Sequence, residues 1–228
     1  MRRPSGHALL WWGFGKTVLA GLTRLLVPMR DYGRERIPRE GGIVLAVNHL
    51  AWADVPVLGT LCPRRIVYLA KAEAFELPGL GWLMGAMGTL SVRRGESDRE
   101  AIRLARDAVR NNLLLGVFVE GTRQRGGEPG EAKTGAAMIA MSEGVPVLPA
   151  AVHGSHRWSP TSRAQVTVAW GEPMRFDHLP RNGRGYKQAT AEIEAEIRRL
   201  WTWLGEMERL GHPDGTPPRR AALPSRAG

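Results

Sequence analysis

Cysteine is almost absent from this chain: among 228 residues there is one, Cys62. A single cysteine excludes an internal disulfide and any cysteine-rich metal site, and nothing around Cys62 marks a nucleophile, so it reads as core. Aromatic residues are also few, 7% of the chain, with 8 Trp against 3 Tyr and 4 Phe. They do not alternate with basic residues as in a single-stranded nucleic-acid platform. There is no G-x-S-x-G nucleophile elbow, no two-cysteine, two-histidine finger and no internal repeat. Acidic residues are outnumbered, 22 Asp and Glu against 32 Lys and Arg, which leaves a formal charge of +10. An anionic partner follows, either nucleic acid or an anionic membrane leaflet. The arginines are spread along the chain, so charge alone does not choose between them.

A long uninterrupted apolar run is missing too. Residues 8–28, "ALLWWGFGKTVLAGLTRLLVP", are apolar but carry Lys16 and Arg24. Two cations within a span cost roughly 2.5–3.5 kcal/mol each, which disfavours crossing a bilayer. At helical spacing Lys16, Thr17, Thr23 and Arg24 share one arc, and Phe14, Val18, Leu19, Leu22, Leu25 and Leu26 take the opposite side. That pattern predicts an amphipathic helix lying in the membrane interface, with Trp11 and Trp12 at headgroup depth and Arg2 and Arg3 toward anionic lipid. A core-packing helix is the plainer alternative. A signal peptide fits poorly because Lys16 interrupts its apolar region.

What the chain does have is alternation. Hydrophobic residues make up 43%, enough for one domain with a sizeable core and too few residues for two. Strand-like runs occur at 41–47, 65–70, 89–92, 113–119, 145–152 and 164–170. Between them lie helical patterns: a short one carrying Pro56, a Gly- and Met-rich one at 78–88, one after a Ser97/Glu100 capping box, and one near 133–143. A long helix follows, with Ile193, Ile197, Leu200, Leu204 and Met207 along one stripe. This order predicts an α/β domain with a largely parallel sheet flanked by helices. The expected organisation is a membrane-associating segment at 1–34, a domain at 35–210, and a Pro-, Gly- and Arg-rich disordered tail at 211–228.

Three strand ends carry candidate chemistry. "VNHLAWAD" places His49 just past an apolar strand and Asp54 five residues later. On a helix the pair would not share a face, but across a strand-to-helix turn a carboxylate could fix the tautomer of a histidine base. Two unrelated polar residues closing a strand would look the same. "FVEGTRQRGG" (118–127) offers Glu120, a flexible Gly121, and Arg123 with a planar fork for phosphate; a solvated turn is the plainer reading. "GTLSVRRGESD" (88–98) offers Arg93 and Arg94, which could equally be exposed loop cations.

In this order the motifs, followed by "VPVLPAAV", resemble the glycerolipid acyltransferase family, which includes the 1-acylglycerol-3-phosphate acyltransferases. The resemblance covers roughly residues 35–175. It implies a glycerol-phosphate acyltransferase-like fold and direct acyl transfer from acyl-CoA or acyl-carrier protein to lysophosphatidic acid, with no acyl-enzyme. Carried over, His49 is the general base and Asp54 its orienting partner. Arg94, Glu120, Gly121, Thr122, Arg123, Lys71 and Trp52 belong to the substrate-binding set, and Pro149 shapes the site wall. The implied partners are a membrane surface, the lysophospholipid acceptor and the acyl donor, with no nucleic acid. No metal and no cofactor beyond the co-substrate is implied, and the expected location is the cytoplasmic face of the membrane, peripheral or monotopic. Three residues depart from the family pattern: Ala51 stands where Ser is common, Val119 where Pro is frequent, and Arg93 where an acidic residue is usual. They leave a different lyso-lipid or glycolipid acceptor open. A non-catalytic basic membrane binder would explain the charge but not the three motifs.

Overall fold

The computed structural model describes residues 17–71, 90–92 and 98–220. A helix at 17–26 (α1) leads into strand β1 (Met29–Tyr32). Then come β2 (Ile43–Val47), α2 (Asp54–Leu61), β3 (Ile66–Lys71), β4 (Leu90–Val92) and α3 (Asp98–Arg110). The chain continues through β5 (Leu114–Phe118), α4 (Gly135–Glu143), β6 (Val147–His153), β7 (Val166–Trp170) and α5 (Gly183–Arg209).

The strands form one seven-stranded sheet in the order β1-β7-β6-β2-β5-β3-β4. Every neighbouring pair is parallel except β6 and β7. Strand β2 lies at the centre, and all five of its residues are buried because helices cover both faces. Its odd positions, Ile43, Leu45 and Val47, face α2 together with Tyr68, Leu148, Ala150 and Val152. Its even positions, Val44 and Ala46, face a layer built from α3, α4 and α5. Pleat alternation therefore sorts one apolar run into two cores. On the outside of the second layer, Arg106 and Arg110 of α3 both pair with Glu143 of α4.

Helix α5 starts where the Asn182 side chain accepts from the amides of Arg184 and Gly185, each at 3.1 Å. That satisfies two of the donors a helix start leaves free. Its predicted apolar stripe is buried at Ile193, Ile197, Leu200 and Leu204.

Two expectations need correction. Strand β1, "MRDY", joins the sheet edge beside β7, so the domain begins before residue 35. The segment after Gly211 is also held rather than loose, as far as Arg220. Arg36 donates to the carbonyls of Pro217 and Pro218, Arg199 donates to Pro218, and Arg220 pairs with Glu192. Cation side chains on the domain take up the carbonyls of a proline-rich strap, among them those of Pro217 and Pro218, which have no N–H. Residues 221–228 lie outside the described residues, as do 1–16, the helix expected at 78–88, and Arg93 and Arg94. Among the described residues no helix is long and apolar enough to cross a membrane.

Candidate active site

Because β2, β5, β6 and β3 run the same way, their C-terminal ends gather on one edge, where open parallel sheets place their ligand crevices. His49 stands two residues beyond β2. Before it, Asn48 is fully buried and clamps β6: its amide nitrogen donates to the Val152 carbonyl at 2.9 Å, and its oxygen accepts from the Val152 N–H at 2.8 Å. These two bonds extend the β2–β6 pairing past its last backbone register and fix where the chain leaves the sheet. Asn48 stood in the sequence motif without a role. Its signal was a carboxamide where a buried apolar run should have continued.

The chain then turns into α2, whose first residue is Asp54. The turn brings Asp54 back to His49, with Nδ1 and Oδ2 2.8 Å apart. The same oxygen accepts from the amides of Leu50 at 2.7 Å and Ala51 at 2.8 Å. Three donors converge on one carboxylate oxygen of a fully buried residue, so the turn and the imidazole are held by a single group. Since a carboxylate oxygen only accepts, Nδ1 carries a proton, and in the neutral imidazole the lone pair is left on Nε2. The predicted pairing across a strand-to-helix turn is present. Ala51 contributes its backbone amide, and the hydroxyl missing at this position is not needed to hold Asp54.

The imidazole plane is set by stacking. His49 lies on Phe118 with centroids 3.9 Å apart and planes 19° apart, and Phe118 in turn stacks on Tyr68 at 5.6 Å. The Tyr68 ring crosses Gly116, where an added Cβ would come within 2.5 Å of it. Only glycine allows the ring to lie that close to β5. Phe118 opened the third sequence motif without a role of its own, and nothing distinguished Tyr68 from an ordinary strand residue.

The 120–133 segment wraps around this pair. Gly121 turns with φ +71, a conformation that favours glycine, and its N–H donates to the Phe118 carbonyl at 3.0 Å. Val119 donates to the Val47 carbonyl at 3.0 Å, a bond that a proline there could not make. Thr122 and Arg123 are exposed, and the Arg123 guanidinium lies over the Trp52 ring, which is 60% exposed. The Lys133 amine rests against Gly121, and the His156 imidazole rests against Gly127. Cations or ionisable nitrogens thus border the loop on several sides; neither Lys133 nor His156 was singled out from the sequence.

Glu120, expected in the substrate-binding set, lies against the backbone. It is 3% exposed, and both carboxylate oxygens accept from backbone amides, Oε2 from His49 at 2.9 Å and Oε1 from Gly130 at 3.3 Å. Burial pushes its pKa up to about 7. Pro149 is misplaced by the sequence reading. It sits on the face opposite His49, where its ring packs near Gly171 and Leu200 rather than on a site wall. Lys71 ends β3, but its side chain and Arg94 are outside the described residues. Among the described residues no cluster of His, Cys, Asp and Glu could hold a metal ion.

Comparison with known proteins places the chain in a family. The Acyltransferase family profile matches residues 28–153, which span β1 to β6 and include every motif above. A 1-acyl-sn-glycerol-3-phosphate acyltransferase of Bacillus subtilis is 30% identical over 184 residues, covering 78% of this chain and 91% of that protein. A lyso-ornithine lipid O-acyltransferase of Pseudomonas aeruginosa is 38% identical over 151 residues, covering 65% of this chain and 55% of that one. The crystal structure of the 1-acyl-sn-glycerophosphate acyltransferase PlsC from Thermotoga maritima superposes with a TM-score of 0.68 at 22% identity. It covers 95% of this chain and 86% of that one, and so shares the fold. The chain belongs to the glycerolipid acyltransferase family and is an acyltransferase.

Proposed function

We propose that this acyltransferase moves a fatty acyl group from an acyl-CoA or acyl-carrier-protein thioester to the free hydroxyl of lysophosphatidic acid, giving phosphatidic acid. The observation that carries the reading is the His49–Asp54 contact at 2.8 Å beside a loop that presents Arg123. Nε2 of His49 takes the acceptor's hydroxyl proton while the oxygen attacks the thioester carbonyl. The new C–O bond forms, the C–S bond breaks, and the imidazolium returns its proton to the leaving thiolate. Asp54 holds Nδ1–H throughout and stabilises the transient cation. No acyl-enzyme is involved.

Arg123 grips the acceptor phosphate, aided by Gly121, Thr122 and Trp52, and Arg94 and Lys71 are assigned to the same anion-binding set. The enzyme works from the cytoplasmic face of a membrane without crossing it. Helix α1 supports this, since Val18, Leu22, Leu25 and Leu26 are 41–70% exposed while Thr23 is turned inward at 5%. An apolar face pointed outward and a hydroxyl pointed inward suit a lipid interface better than water.

A second reading follows from the relative named a lyso-ornithine lipid O-acyltransferase, since Arg123 could meet the carboxylate of an ornithine headgroup. Purified protein with labelled acyl-CoA and a panel of lysophosphatidic acid, lyso-ornithine lipid and monoacylglycerol decides between them. The highest kcat/KM is expected with lysophosphatidic acid. A higher value with lyso-ornithine lipid would replace this acceptor, and transfer to none of them would sink the reading.

A further inference from the structure

The acyl transfer as written gives Glu120 nothing to do, although it is the most enclosed carboxylate beside the site after Asp54. Sheet register explains how it meets His49. Val47 pairs with Phe118 where β2 and β5 run side by side, so two residues on His49 comes opposite Glu120. There the backbone ladder has ended, and the Glu120 side chain continues it. Oε2 accepts from the His49 N–H and Oε1 from the Gly130 N–H. From the other side the Gln124 N–H donates to the His49 carbonyl at 2.8 Å. Both backbone groups of His49 are therefore held by residues 120–124, and the same carboxylate anchors that segment to Gly130.

We propose that Glu120 is a positioning residue: it clamps the His49 backbone to the 121–130 loop and so sets the gap between Nε2 and an acceptor held by Arg123. It touches neither acceptor nor donor. The inference rests on the acyl-transfer reading. A reacting group displaced by about an ångström can lose on the order of a hundredfold in rate, so a backbone clamp is enough to matter. A substrate contact would behave differently, because losing it weakens binding before it slows chemistry.

The test is Glu120→Gln, which keeps the shape and one accepting oxygen but turns an NH2 against a backbone donor. The expected kcat loss is roughly 10- to 100-fold, with KM for lysophosphatidic acid held within about twofold. Amide hydrogen exchange at His49 and Gly130 should quicken while amides in the middle of β2 and β6 stay protected. An unchanged kcat with a raised KM would make Glu120 a substrate contact and overturn the proposal. Unchanged exchange at both amides would overturn it as well. If the unaltered protein transferred acyl groups to no acceptor, the proposed function would fall, yet exchange at His49 and Gly130 would still decide for or against the clamp.

Discussion

The Arg123 guanidinium sits 4.3 Å from the centre of the Trp52 ring, stacked on its face. Trp52 comes from the turn that also carries His49, so the contact ties the candidate phosphate grip to the candidate base. A stacked guanidinium stays planar and aimed, with fewer rotamers to lose when it meets phosphate.

Trp52→Ala should therefore raise KM for lysophosphatidic acid about two- to fivefold, matching the roughly 0.5–1 kcal/mol of an exposed cation–π contact. Trp52→Phe should fall between the two. Initial rates with lysophosphatidic acid and with monoacylglycerol, which lacks the phosphate, check this. An equal effect on both acceptors would detach Trp52 from phosphate binding.

Asn48 predicts a stability effect rather than a catalytic one. Its removal leaves the Val152 N–H and C=O unsatisfied in a fully buried place. Asn48→Ala should lose about 2–4 kcal/mol of unfolding free energy, read from urea titration. A change within experimental error would mean that β6 closes on β2 without this bridge.

Much of the fold was legible because central parallel strands are buried on both faces and read as plain apolar runs. Strands β2, β5, β6 and β7 all announced themselves in this way. Strand β1 did not, because an edge strand with Arg30 and Asp31 has no such run; Asp31 instead accepts from the Trp170 indole at 3.0 Å and pairs with Arg34. The strap at 212–220 was hidden by composition, since proline and glycine signal disorder unless distant arginines hold the carbonyls, as Arg36 and Arg199 do. In the site, His49 and Asp54 are close in sequence and could be paired from it. The role of Glu120 could not be read, because only the register between β2 and β5 brings residue 120 beside residue 49. Likewise Pro149 could not be assigned a face before the pleat of β6 was known.

The raised pKa of Glu120 predicts how stability varies with pH. With a folded value of about 7 against an ordinary 4.5, the folded state holds a proton that the unfolded state has already released. The stabilisation is complete below the unfolded value and is lost as pH rises through the folded one. Unfolding free energy of the unaltered protein should thus fall by on the order of 3 kcal/mol across that window relative to Glu120→Gln. Parallel urea titrations from pH 4.5 to 8 measure it. Identical slopes for the two proteins would show that Glu120 titrates normally.

The central claim is that His49 is the base, held ready by Asp54. Single-turnover transfer from acyl-CoA to lysophosphatidic acid by His49→Ala measures it most directly, with circular dichroism to confirm the fold. The account predicts a rate lower by about 10²–10⁴ with acceptor binding little changed. A folded His49→Ala protein that turns over near the unaltered rate would contradict it.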